Sequence, residues 1–199
     1  MQPTTTTVGR RALLLGLSAS PLLAPTAGIS QSTRGESPAL VAFMSRSGNT
    51  RVVAGQLARA HRADLFEIAP AEAYPEDYRQ TVDLAKRQSD AGAEPALRAL
   101  ATDIARYQTV FLGFPIWGMT TPPPIRTFLS RHDLSGKTLV PFITHGGYGT
   151  GQSLAVLRRM AQGALVTDAF VMQADQERDT LEKVTRWLQG TPPVPRSLR

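Results

Sequence analysis

Three largely apolar segments constrain the fold of this chain most. They cover residues 39–44, 109–114 and 138–144, and each has the length of a typical strand. A strand with apolar side chains on both faces must be covered on both faces, which is typical of the parallel sheets of α/β proteins. The three segments therefore predict a parallel sheet with helices packed against each side.

Segments with helical periodicity alternate with these strands. In the first of them, Val53 and Leu57 lie four residues apart and share one face. We predict helices at residues 50–60, 76–89, 124–130, 151–161 and 176–189, and two further strands at 64–68 and 164–171. This alternation predicts one α/β domain over residues 39–190, with a three-layer, doubly wound sheet of five parallel strands. Ligands of such sheets bind beyond the carboxyl ends of the strands, so the site is expected in the loops that follow them.

The first 30 residues have the pattern of an export signal. The basic pair Arg10-Arg11 precedes a short apolar run, and small residues and prolines follow. The apolar run over residues 12–23 is too short to span a bilayer comfortably. The basic pair resembles the twin-arginine class of signals, which direct folded proteins out of the cytoplasm. An ordinary secretory signal and an uncleaved anchor are the alternatives.

Export has consequences for the organisation of the chain. We expect cleavage near residues 24–30, a linker over residues 31–38 and a periplasmic mature protein without stable membrane insertion. The proline-rich tail at residues 191–199 cannot continue the last helix.

Composition excludes several kinds of site. The chain has no cysteine, so a disulfide, a cysteine nucleophile and a cysteine-ligated metal are excluded, and its three histidines are scattered. We therefore expect no metal site. The 22 basic residues outnumber the 16 acidic ones but are spread along the chain without clusters or interleaved aromatics. This distribution favours a soluble basic surface over nucleic-acid binding.

The polar loop after the first strand, residues 45–50, has the sequence SRSGNT and leads into a helix. Gly48 permits a tight turn, and the short hydroxyl and amide side chains around it can donate hydrogen bonds. The amino end of the helix adds unpaired N–H groups and a favourable dipole. These features predict a phosphate site, and the alternative is a polar turn that only caps the helix.

Two further loops carry aromatic residues that can contact a flat ring. Trp117 lies next to Gly118 in a proline-rich loop and can stack on such a ring. In the loop after residue 144, several glycines let the backbone approach a ligand, and Tyr148 can supply a second stacking face. The alternatives are a Trp117 packed under its loop and a flexible turn with an exposed Tyr148. His145 fits a loop hydrogen bond better than proton transfer.

These loops resemble the flavodoxin family, and more narrowly bacterial flavodoxin-like proteins with the motifs SRSGNT, FPIW and THGG. The resemblance runs from Ala39 to Gln189 and implies a strand order of 2-1-3-4-5 and FMN as the cofactor. It implies that residues 115–118 line one side of the ring, that residues 146–148 line the other, and that the phosphate is held by Ser45, Ser47, Gly48, Asn49 and Thr50. The cofactor-binding residues expected on this basis are Ser45, Arg46, Ser47, Gly48, Asn49, Thr50, Pro115, Ile116, Trp117, Gly118, Met119, His145, Gly146, Gly147 and Tyr148.

Three functions are compatible with this resemblance. The first is an FMN redox protein of the cell envelope that exchanges electrons with an unknown partner protein or a small-molecule acceptor. The second is an FMN-dependent NAD(P)H or quinone oxidoreductase, and the third is a flavodoxin-like binding module without a cofactor. No catalytic side chain is expected in the first two, because the flavin itself carries the redox chemistry.

Overall fold

A parallel sheet organises residues 39–173 and 177–190, which are the residues that the computed structural model describes. The strands are β1 (Ala39–Phe43), β2 (Asp64–Glu67), β3 (Thr109–Pro115), β4 (Thr138–His145), β5 (Leu165–Val166) and β6 (Phe170–Gln173). The helices are α1 (Asn49–His61), α2 (Tyr78–Asp90), α3 (Pro123–Arg131), α4 (Ser153–Met160) and α5 (Glu177–Gly190), with a 3₁₀ turn at Ile104–Arg106. The predicted export signal, linker and proline-rich tail lie outside the described residues.

The strand order confirms the predicted fold class. The order is β2-β1-β3-β4, with β5 and β6 both paired to β4, and every one of these pairs is parallel. The sheet is therefore a doubly wound α/β sheet of order 2-1-3-4-5, whose fifth position is shared by two short strands. The carboxyl ends of β1, β3 and β4 meet at one edge, which brings the three predicted loops together.

Helices cover both faces of the sheet, because alternate side chains of each buried strand enter different cores. Val41 and Phe43 pack in one core with α1 and with Val184 of α5. Leu40 and Ala42 pack in the other core with residues of α3 and α4. All five residues of β1 are consequently buried. Within the described part of the chain, none of these helices has the length and apolar character needed to cross a membrane.

The last strand differs from its prediction. A single strand over residues 164–171 is wrong, since the structure has the separate strands β5 and β6. Val166 pairs with Leu139 and Phe170 pairs with Phe142, so three residues of the edge lie between these pairs where β4 has two. One extra residue of this kind is a β-bulge. Pro141 of β4, which has no amide hydrogen to donate, lies opposite the interruption.

Helix α2 lies apart from both cores. It begins after Asp77, whose side chain accepts a 2.9 Å hydrogen bond from the N–H of Gln80. Its buried residues are Thr81 and Ala85, and neither core cluster of the described chain includes a residue of α2. One side of this helix is therefore available for something other than the sheet.

Candidate cofactor site

The amino terminus of α1 has the properties of an anion site. Gly48 precedes the helix with φ of 96°, a left-handed conformation that glycine adopts with little strain. No side chain caps this terminus, and its first turn has no acidic residue. The N–H groups of the first turn lack intrahelical acceptors, so they and the helix dipole can bind an anion. The phosphate site at residues 45–50 stays a prediction, and this terminus offers the N–H groups that such a site requires.

The two serines of this loop retain hydroxyl protons for a ligand. Ser45 Oγ accepts a 3.2 Å hydrogen bond from the Gly48 N–H, and Ser47 Oγ accepts one of the same length from the Asn49 amide. Each serine therefore acts as an acceptor toward its own loop and can still donate outward. Ser47 is exposed, whereas Ser45 and Asn49 are half-buried.

Thr50 has a different placement from its predicted neighbours. Its side chain is buried, and its Oγ1 lies 2.9 Å from Thr144 Oγ1 at the end of β4. This hydrogen bond fastens the first turn of α1 to the sheet edge. The Thr50 side chain therefore anchors the phosphate loop to the sheet and is not free to contact a ligand. The backbone N–H of Thr50 is one of the unpaired donors at the helix terminus.

Residues Trp117–Thr120, which we call the middle loop, form a tight turn. Trp117 and Thr120 exchange two backbone hydrogen bonds, of 3.1 and 3.3 Å. Between them Gly118 and Met119 both have positive φ, of 55° and 61°. Positive φ at both central residues is the pattern of a type I′ turn, and Met119 adopts it without being glycine. The turn fixes the backbone of Trp117, which is its first residue.

Trp117 is half-buried and contacts a second aromatic residue. The centres of the Trp117 and Tyr74 rings are 4.8 Å apart, and the rings meet edge to face at 81°. The Tyr74 hydroxyl donates a 2.5 Å hydrogen bond to Gln88 Oε1 of α2. Burial raises the pKa of this phenol to about 12, so Tyr74 keeps its proton at physiological pH. Tyr74 therefore supports Trp117 as a neutral hydrogen-bonded group.

His145 organises the glycine-rich loop that follows β4. Its Nδ1 accepts hydrogen bonds from the N–H groups of Gly147 at 3.0 Å and Gly149 at 3.3 Å. This arrangement supports the loop role expected for the imidazole. Tyr148, expected as a stacking residue, is 81% exposed.

The middle loop and the glycine-rich loop are joined through their backbones. The Gln152 N–H donates a 2.9 Å hydrogen bond to the Met119 carbonyl. Gly151 lies so close that a Cβ at this position would be 2.0 Å from the same carbonyl oxygen. A movement of one loop is therefore transmitted to the other.

These loops surround a cleft of about 500 Å³. Residues from the predicted site that line it are Arg46, Ser47, Pro115, Ile116, Trp117, Gly118, His145 and Gly146. The predicted residues that do not line it are Ser45, Gly48, Asn49, Thr50, Met119, Gly147 and Tyr148. The cleft thus joins the phosphate loop to Trp117, but the expected contribution of Tyr148 is not part of it.

The opposite wall of the cleft is α2, which sequence reasoning did not assign to the site. Tyr78, Val82 and Ala85 line the cleft together with polar residues of the same helix. Their spacing places them on one side of the helix. In the sequence, these apolar residues can be recognised as one side of a mostly polar helix. The sequence does not show that this side faces the cleft.

A second cavity of about 490 Å³ adjoins the first. Arg46 and Trp117 line both of them, and the second cavity is completed by residues of the β1 and β2 ends and by the loop that contains Tyr74. The charges on the cleft wall favour an anionic ligand. Lys86 Nζ lies 2.6 Å from Asp90 Oδ2, so these two charges offset each other, and no other acidic side chain among the described residues lines the cleft to offset the positive charge of Arg46. In the described part of the chain, no three histidine or acidic side chains are grouped as metal ligands.

The comparison with protein families gives one match. The sequence model of the family described as flavodoxin matches residues 38–190. This range covers β1 to α5 and contains all three loops. The comparison with curated proteins found no match.

Solved structures with the same fold agree with this match. A candidate flavoprotein from Bacteroides eggerthii DSM 20697 is 31% identical, with a TM-score of 0.67, over 78% of this chain and 98% of that one. A candidate flavoprotein from Bacteroides uniformis ATCC 8492 is 28% identical, with the same TM-score, over 78% and 99%. A flavoprotein from Lactobacillus acidophilus NCFM, solved in complex with FMN, is 22% identical with a TM-score of 0.61, over 74% and 99%. The last of these supports the fold alone.

Proposed function

The chain belongs to the flavodoxin family, and we propose that it binds FMN and serves as a redox protein of the cell envelope. The observation that carries this proposal is the open amino terminus of α1 beside a cleft that Trp117 lines. The helix terminus and the two serines suit a phosphate, and the tryptophan suits a flat ring. When bound, FMN supplies the oxidation and reduction.

The residues of the chain bind and orient the cofactor. Ser45, Ser47 and the N–H groups of α1 hold the phosphate end, where Arg46 adds a positive charge. Trp117 covers the ring, and the double hydrogen bond to Thr120 keeps the tryptophan in place. Stacking against an aromatic wall excludes water from one side of the ring. No proton transfer by a side chain is required.

The proposal predicts a specific complex with FMN. Purified protein titrated with FMN should quench the flavin fluorescence and shift its absorbance at a stoichiometry of one FMN per chain. Riboflavin, which lacks the phosphate, should bind much more weakly. A folded, colourless protein that leaves the FMN spectrum unchanged would refute the proposal and favour a module without a cofactor.

The adjoining cavity favours a second candidate, an FMN-dependent NAD(P)H or quinone oxidoreductase. It provides about 490 Å³ beside Trp117 for another small molecule. Anaerobic mixing of the FMN-loaded protein with NADPH or NADH distinguishes the two functions. Rapid bleaching of the flavin favours the oxidoreductase, whereas stable colour favours a carrier that receives electrons from a partner protein.

The cell-envelope part of the proposal is supported by the basic pair Arg10-Arg11 and the short apolar run after it. Because twin-arginine signals are read by a receptor, replacing both arginines with lysine keeps the charge but should leave the folded protein in the cytoplasm. Cell fractionation followed by immunoblotting measures this. Unchanged export of the variant, or export that stops only when the general secretory route is blocked, contradicts twin-arginine transport.

A further inference from the structure

We propose that Tyr78 of α2, and not Tyr148, is the second aromatic contact of the flavin ring, and that Arg46 is the positioning residue that holds Tyr78. The inference rests on the proposed binding of FMN and adds a third wall to the site. The segment between β2 and β3 thereby becomes part of the cofactor site.

The apolar side of α2 is exposed along the cleft. Tyr78 is 69% exposed and Val82 is 44% exposed, although both line the cleft. An apolar helix side that neither core uses, and that lines a cleft of about 500 Å³, is suited to a flat ligand. The flavin ring is the occupant that fits, because the same cleft reaches Arg46 and Ser47 of the phosphate loop.

Tyr148 lies outside the cleft. It follows Gly147 in the glycine-rich loop, where His145 holds the backbone through two hydrogen bonds. Tyr148 does not line the cleft, its side chain is 81% exposed, and it is in none of the aromatic pairs formed among the described residues. Tyr78, by contrast, lines the cleft in this structure.

Arg46 connects the phosphate loop with α2. Its guanidinium carbon lies 5.7 Å from the centre of the Tyr78 ring, within the range of a cation–π interaction. The same guanidinium donates a 3.0 Å hydrogen bond to the Glu76 carbonyl, just before α2. Arg46 therefore fixes both the start of α2 and the side chain of Tyr78 relative to the phosphate loop.

The test compares two matched substitutions, Tyr78→Leu and Tyr148→Leu. Both remove an exposed tyrosine, so neither should impair folding, which circular dichroism checks. We expect Tyr78→Leu to weaken FMN binding about tenfold, because it removes an aromatic contact, and to reduce the quenching of flavin fluorescence. Tyr148→Leu should leave both quantities at the wild-type value, and Tyr78→Phe should retain them.

A double-mutant cycle tests the role of Arg46. Arg46→Met should weaken FMN binding in two ways. It removes the positive charge that attracts the phosphate, and it removes the cation–π contact that positions Tyr78. In the Tyr78→Leu background, Arg46→Met removes only the attraction to the phosphate. The fold-loss in FMN affinity of the double variant should therefore be smaller than the product of the fold-losses of the two single variants. Strictly multiplicative losses would overturn the positioning role.

The outcomes separate this inference from the proposed function. Failure of the wild-type protein to bind FMN refutes both. Normal FMN binding by the wild type and by Tyr78→Leu, or a loss confined to Tyr148→Leu, refutes the α2 wall and leaves the proposed function standing.

Discussion

Replacing Asn49 with aspartate is expected to weaken FMN binding at least about a hundredfold while leaving the weak binding of riboflavin nearly unchanged. Asn49 is the first residue of α1, where the first turn has no acidic residue. The substitution hardly changes the size of the side chain, but it removes the amide that donates to Ser47 Oγ and adds a negative charge at the helix terminus that is proposed to hold the phosphate. Two unit charges about 5 Å apart repel by roughly 3 kcal/mol at an effective dielectric constant of 20.

The same substitution should stabilise the protein without its cofactor. A carboxylate at a helix amino terminus interacts favourably with the dipole, so the free energy of unfolding should rise by about 0.5 kcal/mol. Urea unfolding of the apoprotein and calorimetric titration with FMN and with riboflavin measure the two opposite effects. Asn49→Ala is the control that removes the amide without adding a charge. Equal weakening of FMN and riboflavin by Asn49→Asp would show that this helix terminus does not bind the phosphate.

The parts of the site that could be predicted from sequence are those determined by local chemistry. Apolar segments buried on both faces define β1, β3 and β4, and their carboxyl ends place three loops at one edge. The loop at residues 45–50 was also predictable, because a glycine turn at the start of a helix is a local feature. The structure accordingly brings Arg46, Ser47 and Trp117 to one cleft.

The remaining parts depend on tertiary placement, which local patterns do not encode. Tyr78 and Val82 were recognisable as one side of α2, but only the fold shows that this side lines the cleft and not the sheet. The bulge between β5 and β6 depends on register against β4, although Pro141 was a local indication of it. For Tyr148, the sequence predicts the position in the loop but does not predict the exposure of the side chain to solvent.

The second large effect concerns the contact between the middle loop and the glycine-rich loop. Gly151 has φ of 52°, and a Cβ there would lie 2.0 Å from the Met119 carbonyl oxygen and 2.6 Å from its carbon. Those are backbone atoms, so relief of the clash requires the backbone of the middle loop and that of the glycine-rich loop to move apart. Gly151→Ala should therefore lower the free energy of unfolding by about 3 kcal/mol, from left-handed strain together with overpacking.

Gly118→Ala is the matched control for this prediction. Gly118 has nearly the same φ, 55°, but a Cβ there would have no atom within 4 Å. It should lower the free energy of unfolding by only about 1 kcal/mol, which is the left-handed strain alone. Urea unfolding of the two apoproteins measures the difference.

The two variants should also differ in cofactor binding. A displaced Met119 carbonyl loses its hydrogen bond from Gln152 and carries the turn that holds Trp117 with it. Gly151→Ala should therefore weaken FMN binding about tenfold or more, because the aromatic wall moves. Gly118→Ala adds a methyl group to the cleft wall without displacing a protein atom, so it should weaken FMN binding less. Equal effects of the two substitutions would show that strain, and not the contact between the loops, controls the position of Trp117.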